Sequence, residues 1–143
     1  MLRASRRLLR PGGRTALATI HPAAGLSQQQ RRRAARDGPP AVATSRPQLE
    51  LLDAAGFVDL DEIDVTAEFR VTANEWIVHY DAHQDELVAQ LGEQLFVEGQ
   101  DERRAQLRAV DDGLLRRSLL AGTRPIRAAS GSGRHRPVAA RRG

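Results

Sequence analysis

The chain has 143 residues and a net charge of +4, and its charges are sorted into three blocks: +9 over residues 1–48, −13 over 49–115 and +8 over 116–143. The absence of cysteine excludes disulfide frameworks, thiolate metal sites and a cysteine nucleophile, and no apolar run approaches the ~18 residues of a membrane span. Only 3% of the residues are aromatic, which is low for a complete domain core, so either much of the chain is loosely packed or it is part of something larger.

The first part of the chain predicts one short strand between polar segments. Met1–Arg10 is at most a short basic amphipathic helix, which Pro11 and the two following glycines end. Thr15–Ile20 is apolar and partly β-branched, a pattern typical of a buried strand, and His21 follows it directly. Residues 23–46 are polar and rich in Gln, Arg, Gly and Pro, so they are predicted to form a loop with one helical turn.

A helix and a strand are predicted next. Ser45 and Gln48 fit a capping box that starts a short helix, and Gly56 is suited to end it. Phe57–Val65 alternates apolar and acidic residues, as a half-buried strand does, with a change of phase near Asp61 that indicates a bulge. The positions predicted to point inward are Val58 or Phe57, Leu60, Ile63 and Val65.

From Thr72 the apolar period becomes helical. Thr72 and Glu75 fit a capping box, and Val71 with Trp76 fits a hydrophobic staple around it. Gly92 ends this helix. The predicted apolar face comprises Trp76, Ile77, Tyr80, Gln84, Leu87, Val88 and Leu91.

The last elements are a second helix, a strand and a tail. The helix is more charged than the first, and Arg117–Thr123 is predicted as a short final strand. We expect an ordered unit over residues 1–125 and a disordered Arg/Gly/Ser tail over 126–143. The apolar positions of the second helix are Leu95, Phe96, Leu107, Val110 and Leu114.

Composition alone leaves the N-terminus open. Residues 1–36 are rich in arginine and nearly free of acids, which fits an organelle transit peptide and equally a basic arm that binds polyphosphate. A surface helix followed by a strand is the third interpretation.

Two clusters carry residue types that bind metals or catalyse proton transfer. His79 and His83 have the spacing of zinc ligands on one helix face, but no third ligand stands out and we expect no metal site. Asp59, Asp61 and Glu62 lie in the acidic strand, where alternation places carboxylates on the solvent side.

Strand ends are better positions for a site. Ligands gather at the carboxyl ends of strands in open α/β sheets, which draws attention to His21 and to the segment Asp64–Thr66. The His21 imidazole is a group that titrates near neutrality, although an ordinary loop histidine is the alternative interpretation. Trp76 is suited to line an apolar pocket. We therefore name His21, Thr66 and Trp76 as candidates for a substrate-binding wall.

The segment Leu8–Ile20 resembles part of the class I S-adenosylmethionine-dependent methyltransferases, in which a helix ends in L-(R/K)-P-G-G before the fifth strand of a Rossmann-like sheet. Further similar segments follow in the order of that family's C-terminal portion. They are Gly38–Pro40, Leu51–Phe57, Asp64–Thr66 and Asp111–Ser118.

This resemblance implies an α/β fold that contains strands five to seven of a partial Rossmann-like sheet, with a helical insertion at about 72–115. It also makes Arg3–Arg10 the end of a family helix, so a targeting peptide is not favoured and we expect a cytoplasmic protein. The family's cofactor-binding segments all precede the position that matches Met1. S-adenosylmethionine is thus the cofactor of the full-length family, and we expect none to bind this chain.

The resemblance accordingly predicts a truncated methyltransferase that is inactive by itself and whose full-length relatives act on a small molecule. We expect no membrane partner, and the open edge of a partial sheet would favour self-association. The alternative is a non-enzymatic basic protein whose arginine-rich ends bind nucleic acid or another polyanion, with an affinity that falls steeply as salt is added.

Overall fold

The computed structural model describes residues 2–40 and 47–126, and these form an α/β fold of three strands and six helices. The strands are β1 (Arg14–Pro22), β2 (Val58–Asp64) and β3 (Leu115–Thr123). The helices are α1 (Leu2–Leu8), α2 (Gln28–Asp37), α3 (Gln48–Ala54), α4 (Thr66–Ala82), α5 (Gln84–Leu91) and α6 (Glu93–Asp111). None of the helices within these residues is long and apolar enough to cross a membrane.

The three strands form one sheet in which the last strand lies in the middle. The order is β1–β3–β2, and β3 runs antiparallel to both neighbours, with Ile20 opposite Arg117 and Ile63 opposite Leu119. Among the described residues, β1 and β2 therefore each have a hydrogen-bonded strand on one side only. The predicted strands at Thr15–Ile20 and Arg117–Thr123 are confirmed, and the latter begins earlier, at Leu115.

The two faces of β3 contribute to two apolar clusters. On one face, Leu120 packs with residues of the α3–β2 region, and on the other, Leu115 packs with residues of α2, α4 and α6. Side-chain alternation along a strand makes this division possible. The first cluster comprises Leu52, Ala55, Phe57 and Leu120, and the second comprises Ala34, Phe69, Ala73, Ala109, Val110, Leu114 and Leu115.

Helix α2 occupies a segment predicted as a loop with one turn, so that prediction is wrong. The Ser27 hydroxyl accepts a hydrogen bond from the Gln30 backbone N–H at 3.2 Å, and the Gln30 side chain accepts one from the Ser27 N–H at 2.9 Å. This capping box starts the helix, and Ala34 is fully buried against the larger cluster. Because α2 has one small buried residue among its arginines, its sequence shows almost no helical period of apolar residues.

Helix α4 begins at Thr66, well before the predicted start at Thr72. The Asp64 carboxylate accepts a hydrogen bond from the Thr66 N–H at 2.9 Å, so the end of β2 turns directly into the helix. Thr72 lies inside the helix and donates its hydroxyl to the Glu68 carbonyl at 3.1 Å. The predicted capping box and the staple of Val71 with Trp76 are therefore wrong, and both apolar side chains are half exposed or more.

The helical run that ends at Gly92 is divided in two at His83, between α4 and α5. Gly92 itself ends α5 with a φ of +87°, as predicted. Helix α3 follows Pro47, and no side chain among the described residues caps its first turn. The predicted cap Ser45 and residues 127–143 of the tail predicted over 126–143 lie outside the described residues.

Strand β2 carries the predicted irregularity, and one of its four predicted inward positions, Ile63, is wrong. The register with β3 shifts between Val58 and Asp61, and Asp59 has a φ of +50°. Phe57 is buried and Leu60 packs on the same cluster, whereas Val58 and Ile63 are exposed. These two side chains lie on the face of the sheet that the described helices leave partly open.

A pair of neighbouring leucines on β3 tests this division of the core. Leu120 is 1% exposed and Leu119 is 43% exposed. We expect Leu120→Ala to lower the free energy of unfolding by about 2–5 kcal/mol, because it leaves a cavity in the smaller cluster. Leu119→Ala should lower it by about 1 kcal/mol or less. Urea denaturation followed by circular dichroism measures both, and equal losses would contradict the two-cluster arrangement.

Candidate substrate pocket

A cavity of about 370 Å³ lies where β1, β3 and the helices α4 and α6 meet. Its walls are mostly apolar, with Trp76 and Phe69 from α4 and Ile20 from the carboxyl end of β1. Trp76 is 50% exposed, so its indole is accessible at the cavity rather than part of the core. The complete lining is Ala18, Thr19, Ile20, Pro39, Phe69, Trp76, Gln106 and Arg117.

Arg117 is the only charged residue among the described residues that line this cavity. Strand register places it opposite Ile20, on the face of the sheet that packs against α4. Its guanidinium lies over the Phe69 ring, with 4.5 Å between the central carbon and the ring centroid, an arrangement that favours the cation. The pocket therefore combines aromatic walls with one positive charge.

Thr66 fixes the backbone of this arginine without lining the cavity. Its hydroxyl oxygen accepts a hydrogen bond from the Arg117 N–H at 2.9 Å and lies 3.4 Å from the Arg117 carbonyl. The neighbouring Val65 N–H donates to the same carbonyl at 2.8 Å. The start of α4 thus holds the start of β3, and Thr66 acts on the pocket through Arg117.

A second, polar cavity of about 570 Å³ lies beside Thr66. The Arg116 guanidinium donates to the Asp64 carboxylate at 2.8 Å there, and Arg70 pairs with Asp111. Hydrogen bonds from the Thr66 side chain and backbone N–H, with a contribution from Arg116, lower the pKa of Asp64 below its ordinary value. The charges around this cavity are therefore largely neutralised within the protein.

His21 lies in a third place and does not share a cavity with Trp76. Its Nε2 atom is 2.9 Å from the Ser118 hydroxyl and 3.7 Å from the Glu62 carboxylate, and its Nδ1 atom is 3.1 Å from the Pro22 carbonyl. Because a carbonyl only accepts, Nδ1 carries a proton in this arrangement. His21 lines a cavity of about 400 Å³ with Arg31, Gln48 and Glu62, among others.

The three residues named from the sequence thus meet at one stretch of β3 but not in one pocket. Trp76 lines the cavity that Arg117 enters, Thr66 holds the Arg117 backbone, and His21 contacts the next residue, Ser118. Alternation puts Ser118 and His21 on the opposite face of the sheet from Arg117.

The acidic strand and the histidine pair assemble no further site. The strand carboxylates are exposed, as predicted, and basic side chains partner most of them: Arg14 for Asp61, His21 for Glu62 and Arg116 for Asp64. His79 and His83 lie with their ring centroids 4.3 Å apart. Among the described residues, no three His, Asp or Glu side chains converge as metal ligands.

Two described strand ends can be compared with a site for a nucleotide-like cofactor, and only the turn after β2 argues against one. A cradle for one uses a glycine after a strand, where the backbone approaches the ligand closely. Gly25 follows β1, and the space beside it is open, since a Cβ added there would meet no atom within 4 Å. The turn after β2 is filled by the contacts of Thr66 with Arg117, and its carboxylate, Asp64, is already bound to Arg116.

Sequence reasoning missed the charged residue of the pocket. The sequence pattern places Arg117 only in the final strand, although an arginine at an inward strand position can itself indicate a binding residue. Phe69 lies in the part of α4 that precedes the predicted helix start at Thr72. Gln106 lies in α6 and is not one of the predicted apolar positions of that helix. Their meeting depends on packing between distant segments.

The contact of Thr66 with Arg117 can be tested by stability. Thr66→Val keeps the shape of the side chain but leaves the Arg117 N–H without its acceptor, which should cost about 1–3 kcal/mol of unfolding free energy. Thr72→Val is the matched control, because the Thr72 hydroxyl contacts only a carbonyl of its own helix, and it should change stability by about 0.5 kcal/mol or less. Equal effects in urea denaturation would mean that Thr66 does not hold β3.

The sequence matches no protein-family model and no curated protein. Solved structures do share its shape. Phosphoethanolamine N-methyltransferase 2 of Haemonchus contortus, in complex with phosphomonomethylethanolamine and S-adenosylhomocysteine, superposes with a TM-score of 0.68 at 16% identity, covering 87% of this chain and 29% of that protein.

Two further structures are similar. A sarcosine dimethylglycine methyltransferase of Galdieria sulphuraria gives a TM-score of 0.71 at 11% identity, over 89% of this chain and 47% of its own. A cyclopropane synthase of Mycobacterium tuberculosis gives 0.61 at 14% identity, over 85% and 48%. The chain therefore has the α/β fold found in S-adenosylmethionine-dependent methyltransferases, and it spans less than half the length of these three proteins.

Proposed function

We propose that this chain is the C-terminal part of an S-adenosylmethionine-dependent methyltransferase and that it forms part of the wall against which the methyl acceptor binds. The observation that carries the proposal is the fold match, which takes in 85–89% of this chain but 29–48% of each methyltransferase-like structure. The order of the methyltransferase-like segments along the sequence supports it independently.

In this proposal β1, β2 and β3 correspond to strands five, six and seven of the family sheet. The three helices α4, α5 and α6, which lie between β2 and β3, correspond to the insertion before the seventh strand. The preceding strands, with the glycine-rich turn that binds the cofactor, are then absent from this chain. We accordingly propose that the chain alone is inactive.

The chain's own residues would serve acceptor binding. S-adenosylmethionine, when bound to a complete enzyme, supplies an electrophilic methyl group. The protein must hold the acceptor's nucleophilic atom in line with that group and exclude water. Trp76, Phe69 and Pro39 provide an apolar wall for this purpose, and Thr66 keeps Arg117 in position beside them.

The proposed acceptor is a small molecule. The cavity of about 370 Å³ lies at the lower end of the range of about 300–1,000 Å³ that is typical of ligand pockets. The Haemonchus contortus structure holds phosphomonomethylethanolamine, a molecule of this size class.

A polyanion-binding protein is less well supported. Within the described parts of the two basic blocks, four of the twelve arginines pair with a carboxylate, which lowers the number of charges that could contact phosphates: Arg14, Arg33, Arg36 and Arg116. The edge of β1 remains the place where we propose that the isolated chain self-associates, because an unpaired strand edge presents free N–H and C=O groups.

The DNA upstream of the Met1 codon tests the proposed function at little cost. We expect an in-frame coding sequence there that contains a strand followed by a glycine-rich turn. The two other reading frames of the same DNA are the control and should lack this pattern. If all three frames lack it, the chain stands alone as a product and the methyltransferase proposal for it fails.

A further inference from the structure

We propose that Arg117 is an oxyanion-binding residue and that the Trp76–Arg117 cavity takes a small molecule with a phosphate or carboxylate group. The inference rests on the proposed function only in identifying that molecule as the methyl acceptor. The binding itself follows from the charge and geometry of the cavity.

The first argument is that the N–H groups of the Arg117 guanidinium have no hydrogen-bond acceptor among the described residues. Among the described residues, no carboxylate forms an ion pair with it and no acceptor forms a hydrogen bond with it, while its guanidinium lies over the Phe69 ring. Its neighbour Arg116, on the other face of the sheet, is paired with Asp64 at 2.8 Å. A half-buried guanidinium with five unused N–H groups is a strong partner for an oxyanion, which it can bind in bidentate fashion.

The second argument is the field around the cavity. Residues 49–115 carry a net charge of −13, yet none of the described residues that line this cavity is acidic. Among the other lining residues, Gln106 has a side-chain amide that can donate hydrogen bonds to the same ligand, whereas strand register puts the Thr19 side chain on the opposite face of the sheet from Arg117. The described lining of the cavity thus carries one positive charge and no negative charge.

The third argument is the shape of the walls. Thr66 holds the Arg117 backbone and Phe69 supports its guanidinium from one side, so the arginine is positioned before a ligand arrives. Trp76 presents a half-exposed indole beside it. A ligand with a short apolar body attached to its anionic group would contact both.

Trp76 is the only tryptophan of the chain, so its fluorescence reports on this cavity alone. The full-length chain is titrated with butyl phosphate, pentanoate and butylammonium, which share an alkyl body and differ in the charged group. We expect saturable changes with at least one of the two anions and none with the cation. The tighter of the two anions identifies phosphate or carboxylate as the natural group.

Three variants assign the binding to Arg117. Arg117→Gln should weaken the anion about tenfold or more, because a charge-assisted hydrogen-bonded pair is lost, and Arg117→Lys should retain part of the affinity. Arg116→Gln removes the same charge on the opposite face and should change the affinity less than about twofold. Circular dichroism checks that each variant is folded, and the comparison of ligands on the unmodified chain holds if Arg117→Gln does not fold.

The proposal is overturned if neither anion changes the Trp76 signal, if the cation acts as the anions do, or if Arg116→Gln and Arg117→Gln weaken binding equally. These results are independent of the test of the proposed function. Anion binding without an upstream glycine-rich turn would leave a small-molecule binding protein, whereas an upstream turn without anion binding would leave a methyltransferase with an acceptor of another kind.

Discussion

The structure depends on the antiparallel insertion of β3 between β1 and β2. Because β3 is the last strand and lies in the middle, the sheet closes only after the whole described chain has been placed. Its two faces contribute to separate apolar clusters, with Leu120 on one side and Leu115 on the other. Both apolar clusters of the described residues therefore include a residue of this strand.

The same strand organises the candidate pocket. Arg116, Arg117 and Ser118 follow one another at its start, and each meets a different partner: Asp64, the Thr66 and Phe69 pair, and His21. Alternation separates these partners onto two faces of the sheet. The result is one charged residue directed into an apolar cavity and two others whose polar groups are satisfied within the protein.

Local patterns were sufficient to predict some of this arrangement. Thr15–Ile20 and Arg117–Thr123 are short β-branched or apolar runs between breaks, and Gly92 takes the positive φ that a helix end favours. The bulge in β2 was visible as a change in apolar phase. In each case the signal comes from residues close together in the sequence.

Other features depend on contacts between distant segments, and the sequence patterns missed them. Helix α2 is held by the burial of one alanine, Ala34, and by a cap at Ser27 that was not recognised. The start of α4 is set by β3, because the Thr66 hydroxyl binds the Arg117 backbone, 51 residues away. Arg117 becomes a site residue only when Phe69 and Trp76 pack beside it.

The central claim is that this chain provides the acceptor side of a methyltransferase fold without its cofactor site. A calorimetric titration of the folded chain with S-adenosylmethionine tests it most directly. We predict no saturable heat, because the proposed correspondence puts the glycine-rich turn outside this chain, and the carboxylate at the end of β2, Asp64, is bound to Arg116. Saturable, tight binding would contradict the account, since the cofactor site would then lie within this chain.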